Sequence, residues 1–262
     1  MLIDMHTHVF PRRKAPEILG DMASRKSIPH YSDGTVDGLL AGMKKSGTDI
    51  SLISRITTKK ENVTAVNEWL LRCMRPSIQS LATVHPDQPV ATSDLAALKN
   101  QGFKGVKLHP DYQGFFVDDR RMYPFYEAAQ TTRMPVLFHA GLDRGLPPPV
   151  HALPSGLIKV HRDFPRLKMI AAHMGGEDNY QETEDLLLGE NIFIDTSFVL
   201  RIMPVGLLKR FFRKHGVERI LFGSDSPFTD QARELSYLLN LSFLTTAEKE
   251  KVAGGNAASL FF

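Results

Sequence analysis

Asp4-Met5-His6-Thr7-His8 sets two imidazoles two residues apart near the start of the chain. On an extended segment such residues point the same way, because side chains alternate across a strand. Leu2, Ile3 and Val9 favour that conformation and Pro11 ends it, so residues 2–9 are predicted to be a strand. Two imidazoles at a strand end make half of a metal site. Four later runs offer the rest: Val106-Lys107-Leu108-His109-Pro110, Leu137-Phe138-His139-Ala140-Gly141, Ala171-Ala172-His173-Met174-Gly175-Gly176 and Leu221-Phe222-Gly223-Ser224-Asp225-Ser226-Pro227. A single buried imidazole often does no more than bond to backbone. Four histidines and an aspartate at corresponding strand ends are hard to assign to chance. Imidazole and carboxylate together suit a borderline divalent ion such as zinc, with a position left open for water.

These side chains need a frame that brings separate strand ends together. Short β-rich runs are predicted at 2–9, 50–54, 80–84, 105–108, 135–139, 168–173, 192–195 and 219–222. Amphipathic helical stretches fall between them at 36–45, 63–74, 93–100, 121–132, 156–163, 180–188 and 204–215. Many of the strands are continuous apolar runs, as parallel strands buried on both faces are. About eight such units in 262 residues point to an α/β fold of one domain, a (β/α)8 TIM barrel over residues 1–262. A barrel keeps its chemistry at the C-terminal ends of its strands, where these polar residues lie. The two-residue period puts Lys107 and His109 on one face, toward the barrel axis if Val106 and Leu108 meet the helices. The long first connection, 10–34, carries Pro11, Pro16 and Pro29 and is expected to cover the site. Residues 245–262 read as a closing helical segment broken at Gly254-Gly255-Asn256.

Composition removes other classes. A net charge of +3, 42% hydrophobic and 23% charged residues describe a chain with a sizeable core and no disordered character. Arg12-Arg13-Lys14 is the densest basic cluster, too small for a nucleic-acid surface. With Cys73 the only cysteine, neither a disulfide framework nor a thiolate metal cage is available. No apolar run approaches membrane-spanning length and no secretory leader is evident, so the expectation is a cytoplasmic protein with no membrane partner. Its partner would be a small-molecule substrate; a homo-oligomer is compatible with the sequence.

The strand-end motifs, together with Gly105-Val106-Lys107-Leu108-His109-Pro110 and Gly255-Asn256-Ala257, resemble the amidohydrolase superfamily of metal-dependent barrels. The resemblance runs from first strand to last helix. Within the superfamily it is nearest the branch holding mononuclear-metal hydrolases and the non-oxidative decarboxylases of aminocarboxymuconate-semialdehyde and hydroxybenzoates. It implies His6, His8, His139 and Asp225 as ligands of one ion, with His173 beside them as acid/base or hydrogen-bonding partner and His109 in the pocket. Binuclear relatives bridge two ions through a carboxylated lysine or a glutamate on the fourth strand. Lys107 is available for that role, but His109 crowds the same face, so the single-ion form is preferred and two ions stay open.

The expected chemistry is hydrolysis of an amide, ester or lactone of a small, carboxylate-bearing substrate by a metal-activated water, with Asp225 taking its proton. The alternative is non-oxidative decarboxylation of a small unsaturated or aromatic acid. A metal-binding barrel without catalysis is the third reading, and a spare acid/base such as His173 speaks against it. Arg55 and Arg144 could pair with a substrate carboxylate, or be ordinary surface arginines. Tyr112, Phe115 and Phe116 could wall the pocket, or pack a loop.

Overall fold

The computed structural model describes residues 1–262, the side chain of Arg25 excepted. Its strands are β1 (Ile3–Thr7), β2 (Ile50–Ile53), β3 (Ile78–Ser80), β4 (Ala82–Thr83), β5 (Val106–Leu108), β6 (Val136–Phe138), β7 (Met169–Ala171), β8 (Phe193–Asp195) and β9 (Ile220–Leu221). All pair in parallel, β1 to β3 in one run and β4 to β9 in another. The strand expected at 80–84 is divided around Leu81, so β3 and β4 share one barrel position. Leu81 N–H donates to the Ile53 carbonyl, and Ala82 N–H to that of Gly105, which joins the two runs on that side. On the other side Met5 N–H donates to the Phe222 carbonyl and Asp225 N–H to that of His6. The ring closes into a (β/α)8 TIM barrel, the α/β fold expected from sequence.

Two apolar layers follow from the alternation of side chains along the strands. Ile3, Met5, Leu52, Leu81, Leu137, Ile170 and Leu221 pack with Ala257 and Phe261 of the last helix, Asn256–Phe261. Val106, Leu108, Val136, Phe138 and Met169 belong to a larger layer with the surrounding helices. Lys107, between Val106 and Leu108, therefore faces the barrel interior. Between Asp4 and Thr7 three steps along β1 match two along β2 (Asp4 with Ser51, Thr7 with Ile53). Such a bulge turns side chains relative to the rest of the strand. It lets His6 and His8 reach the site although Ile3 and Met5 fill the core below.

The first connection holds a helix the sequence reading did not assign, Ala15–Lys26. The prolines of this connection are compatible with it, because Pro16 stands in the first turn, where the missing N–H costs nothing. A second unassigned helix, Gln231–Leu239, follows β9; the Asp230 side chain caps it by accepting from Ala232 and Arg233 N–H. The closing segment runs Thr246–Glu250, a wide turn at Lys251–Gly255, then Asn256–Phe261, with the expected break at Gly254. Among the described residues no helix is long and apolar enough to cross a membrane.

His215 closes the helix Val205–His215 fully buried, its Nδ1 accepting from Gly189 N–H. Burial and the nearby Arg219 bring its pKa down to about 4. The folded state holds this imidazole neutral, while the unfolded chain protonates it near 6.5. Stability from this group is complete above about 6.5 and is lost as pH falls toward 4, by up to about 3 kcal/mol. Urea titrations at pH 7.5 and 5 should show a smaller pH effect in His215→Gln than in the parent. An equal pH effect in both would remove His215 as its source.

Candidate metal centre

The backbone at the strand ends determines which nitrogen each imidazole turns inward. His6 Nδ1 lies 2.8 Å from Asp195 Oδ2, and His8 Nδ1 lies 3.1 Å from the Ser54 carbonyl. Both partners accept only, so the proton of each neutral ring sits on Nδ1 and the lone pair on Nε2. His173 Nδ1 is 3.0 Å from the Ser197 carbonyl, which leaves its Nε2 to accept from His139 Nδ1–H, 3.0 Å away. His139 Nε2 is then a bare lone pair, buried and without a partner. His6, His8 and His139 thus share the tautomer of a metal ligand whose other nitrogen is held by an acceptor.

Asp225 faces two of these lone pairs. Its Oδ1 lies 3.0 Å from His8 Nε2 and 3.5 Å from His6 Nε2. A lone pair at hydrogen-bond distance from a carboxylate oxygen needs a proton or a cation between them. The three donor atoms lie within 4.8 Å of one another, so the residues present fit a divalent ion. Asp225 is held there at φ 71° by its N–H bond to the His6 carbonyl, a left-handed backbone that costs energy and recurs at functional sites. Gly223 allows the close approach: a Cβ there would lie 2.8 Å from that of His6. Burial works against the charge of Asp225, but positive charge placed beside it, a proton shared with His8 Nε2 and with the imidazoles of His6 and His173, holds its pKa far below the usual carboxylate range, and a bound cation between the same atoms would act in the same direction.

His139 does not complete that group directly. Its ligand atom clusters within 4.8 Å of His109 and Asp143. The His109 and His139 rings stack at 4.0 Å and 8°, and His109 Nε2 lies 3.1 Å from Asp143 Oδ2. Lys107 stands near the first group, with Nζ 3.4 Å from His6 Nε2. Burial lowers its pKa to about 8, against the carboxylates of Asp195, Asp225 and Asp143.

Asp195, at the end of β8, is the functional residue that sequence reasoning missed. Oδ1 accepts from the N–H groups of His173 (3.1 Å) and Ser197 (3.0 Å) and from Ser197 Oγ–H (2.5 Å), and Oδ2 takes the His6 proton. Burial opposes its charge, yet His6, His173 and Ser197 bring its pKa down to about 2. The available signal was positional: Asp195-Thr196-Ser197 ends a strand as the histidine motifs do. Asp4 has a related role one layer below, accepting from Ser224 N–H (2.9 Å) and Gln231 Nε2 (2.8 Å) and so tying the first strand to the loop that carries Asp225.

A cavity of about 790 Å³ opens above the histidines. Its lining brings together His6, His8, Lys107, His109, His139, His173 and Asp225 with Arg55, Arg144 and Tyr112. Phe115 is a correction: it is buried in the outer core and absent from the cavity wall, because the turn Pro110–Gln113 swings it toward the helices. Phe116 is exposed against His151. The apolar wall comes instead from Phe10, Phe198 and Phe228. Arg144 is engaged, Nε to Glu177 Oε1 at 2.5 Å. Arg55 stacks near Trp69 (5.4 Å) and Phe10 (5.8 Å), has no carboxylate partner among the described residues, and its Nη1 is buried without a hydrogen bond.

A family model described as amidohydrolase matches residues 3–262. No curated protein matches the chain. Among solved structures the chain is similar to a 2,6-dihydroxybenzoate decarboxylase from Rhizobium, with 21% identity, TM-score 0.74 and coverage of 99% of this chain and 98% of that one. A dihydroxybenzoic acid decarboxylase from Polaromonas with bound manganese and 2-nitroresorcinol gives 18% identity, TM-score 0.72 and coverage of 99% and 96%. A probable 2-pyrone-4,6-dicarboxylic acid hydrolase from Acinetobacter baumannii gives 18%, 0.70, 99% and 98%.

Proposed function

Because the chain belongs to the amidohydrolase family, and is an enzyme of it, we propose that it catalyses metal-dependent, non-oxidative decarboxylation of a small aromatic or unsaturated carboxylic acid. The observation that carries this reading is Arg55, a partly buried guanidinium without a counter-ion, in the wall of the cavity that holds His6, His8 and Asp225. A desolvated cation of that kind favours a substrate carboxylate. The decarboxylases among similar folds lend further support, and they move the balance from hydrolysis, the first expectation from sequence, to its alternative. A purely structural ion would need no cavity above it, which argues against the non-catalytic barrel.

His6, His8 and Asp225 would hold the ion, with His139 the nearest further donor. A divalent metal is the cofactor; zinc is the proposed identity from the imidazole–carboxylate donor set, and manganese occupies the Polaromonas relative. Bound there, the ion supplies positive charge that polarises a substrate oxygen and stabilises electron density left on the substrate. Arg55 would orient the acid, and Phe10, Phe198 and Phe228 would exclude water around the ring. When the carbon–carboxylate bond breaks, its electron pair stays on carbon and CO2 departs, so one proton must reach that carbon. Asp225, ionised at rest, would take that proton from a substrate hydroxyl or water and deliver it. His173, through Nε2, keeps the His139 lone pair turned inward; the geometry favours its role as hydrogen-bonding partner over that of acid. Hydrolysis stays as a second reading because an ionised Asp225 equally suits a base toward water.

Metal-loaded protein offered hydroxybenzoates and unsaturated acids should release CO2, measured as bicarbonate; ring opening of lactones without CO2 release would select the second reading. Arg55→Met should raise KM for the acid by about 10- to 100-fold without a matching fall in kcat, since the charge-assisted bond is made to the ground-state carboxylate, whose charge passes to carbon as CO2 forms. An unchanged KM would show that the carboxylate is held elsewhere.

A further inference from the structure

The cover helix Ala15–Lys26 ends in a lysine that the chemistry above does not use. Lys26 lines the same cavity, partly buried, with its Nζ on the Tyr112 hydroxyl and 4.6 Å from the centre of that ring. Among the described residues it has no carboxylate partner. An ammonium has three donors and no acceptor, so it donates to the Tyr112 oxygen and keeps further N–H groups free; the phenol proton is free in turn. A Cβ at Gly145 would lie 2.5 Å from Lys26 Cδ, so the loop after β6 leaves room for the lysine by carrying glycine. The loop is fixed there by Asp143, whose Oδ1 accepts from Gly145 N–H at 2.6 Å and whose Oδ2 faces His109.

We infer that Lys26 and Tyr112 form a second anion subsite, and that the substrate carries a second acidic group on the same small ring or chain. The inference rests on the reading that Arg55 anchors the first carboxylate. Lys107 stands at the floor of the cavity among Asp195, Asp225 and Asp143, whereas two cations of its wall, Arg55 and Lys26, have no ion-pair partner among the described residues; the volume of about 790 Å³ suits one small molecule. The other cationic side chain of the rim, Arg144, is neutralised by Glu177. Glu17 of the cover helix also lines the rim and would repel an acid lying toward it. The second group is therefore accepted where the lysine and the phenol face it together.

Calorimetric titration of the metal-loaded protein with benzoate and with benzene-1,3-dicarboxylate tests this without depending on turnover. The diacid should bind about tenfold more tightly, as expected for one partly exposed charge-assisted contact. Lys26→Met should erase that preference and leave benzoate affinity unchanged; Lys26→Arg, which keeps the charge, should restore part of it. Equal affinities in the parent protein, a preference that survives Lys26→Met, or binding of neither acid would overturn the subsite. Arg55→Met separates this inference from the reading beneath it. Weaker binding of both acids supports Arg55 as the common anchor. If Arg55→Met changes neither while Lys26→Met still abolishes the preference, the anchor is wrong and the Lys26 subsite stands.

Discussion

Asp225→Asn lowers turnover by about 100- to 10,000-fold while the fold and part of the metal affinity persist. The substitution isolates the proton and charge chemistry. Asn tolerates the left-handed backbone that Asp225 adopts at φ 71°, so the strand-end turn and its N–H bond to the His6 carbonyl are kept. One amide oxygen still faces His8 and His6, so a weaker ligand remains. What disappears is the carboxylate that those imidazoles hold ionised. An amide can neither take a proton from the substrate side nor deliver one to carbon. The measurement is kcat on protein whose metal content has been determined, so that loss of rate is separated from loss of ion. Turnover within a few-fold of the parent at equal occupancy would remove Asp225 from the proton path under decarboxylation and hydrolysis alike.

How much of this site was legible beforehand depended on whether a residue announces itself in its own segment. His6, His8, His139, His173 and Asp225 do, since each ends a short apolar run, and the structure brings all five to one cavity. Barrel closure does the rest, and closure follows from alternating strands and helices of the right number. Asp195 was passed over because a carboxylate after Phe193 and Ile194 looks like any polar strand end. Its importance lies in a bond to His6, 189 residues away, which only the closed barrel creates. The bulge between Asp4 and Thr7 is equally silent, being a property of the pairing of two strands rather than of either one.

The substrate wall was less legible for a related reason. Arg55 and Arg144 looked equivalent, each a lone arginine just past a strand. Glu177, which distinguishes them, comes from the segment after β7 and reaches Arg144 across a backbone bridge to Gly141. Phe115 and Phe116 follow Tyr112 closely, yet the Pro110–Gln113 turn, capped by His109 and closed by Gly114 at φ 68°, sends Tyr112 to the cavity and Phe115 to the core. The helix Ala15–Lys26 lies in a connection with prolines, whose effect depends on position. Pro16 in a first turn is compatible with a helix that the same residue would interrupt three turns later.

Asp195→Asn should cost the metal more than its distance from the ion suggests, about 10- to 100-fold in affinity. Asp195 Oδ1 accepts from three donors, His173 N–H, Ser197 N–H and Ser197 Oγ–H. An asparagine must therefore place its carbonyl oxygen there and turn its NH2 toward His6. His6 Nδ1 then becomes an acceptor, the imidazole proton moves to Nε2, and the lone pair that should face the ion is gone. His6→Ala, which removes the imidazole altogether, should leave an incomplete set of donors and strip the ion under the same conditions. Metal content by elemental analysis, with affinity from competition against a chelator, reads both effects without any substrate. Parent-like affinity in Asp195→Asn would mean that His6 keeps its tautomer by another route. His109→Ala belongs in the same series, because His109, His139 and Asp143 form a second group of donor atoms within 4.8 Å. For a single ion at His6, His8 and Asp225 that variant retains the parent stoichiometry. A fall from two ions to one would place a second ion in the other group, and Lys107, whose Nζ lies 3.4 Å from His6 Nε2, would then stand beside two charges instead of one.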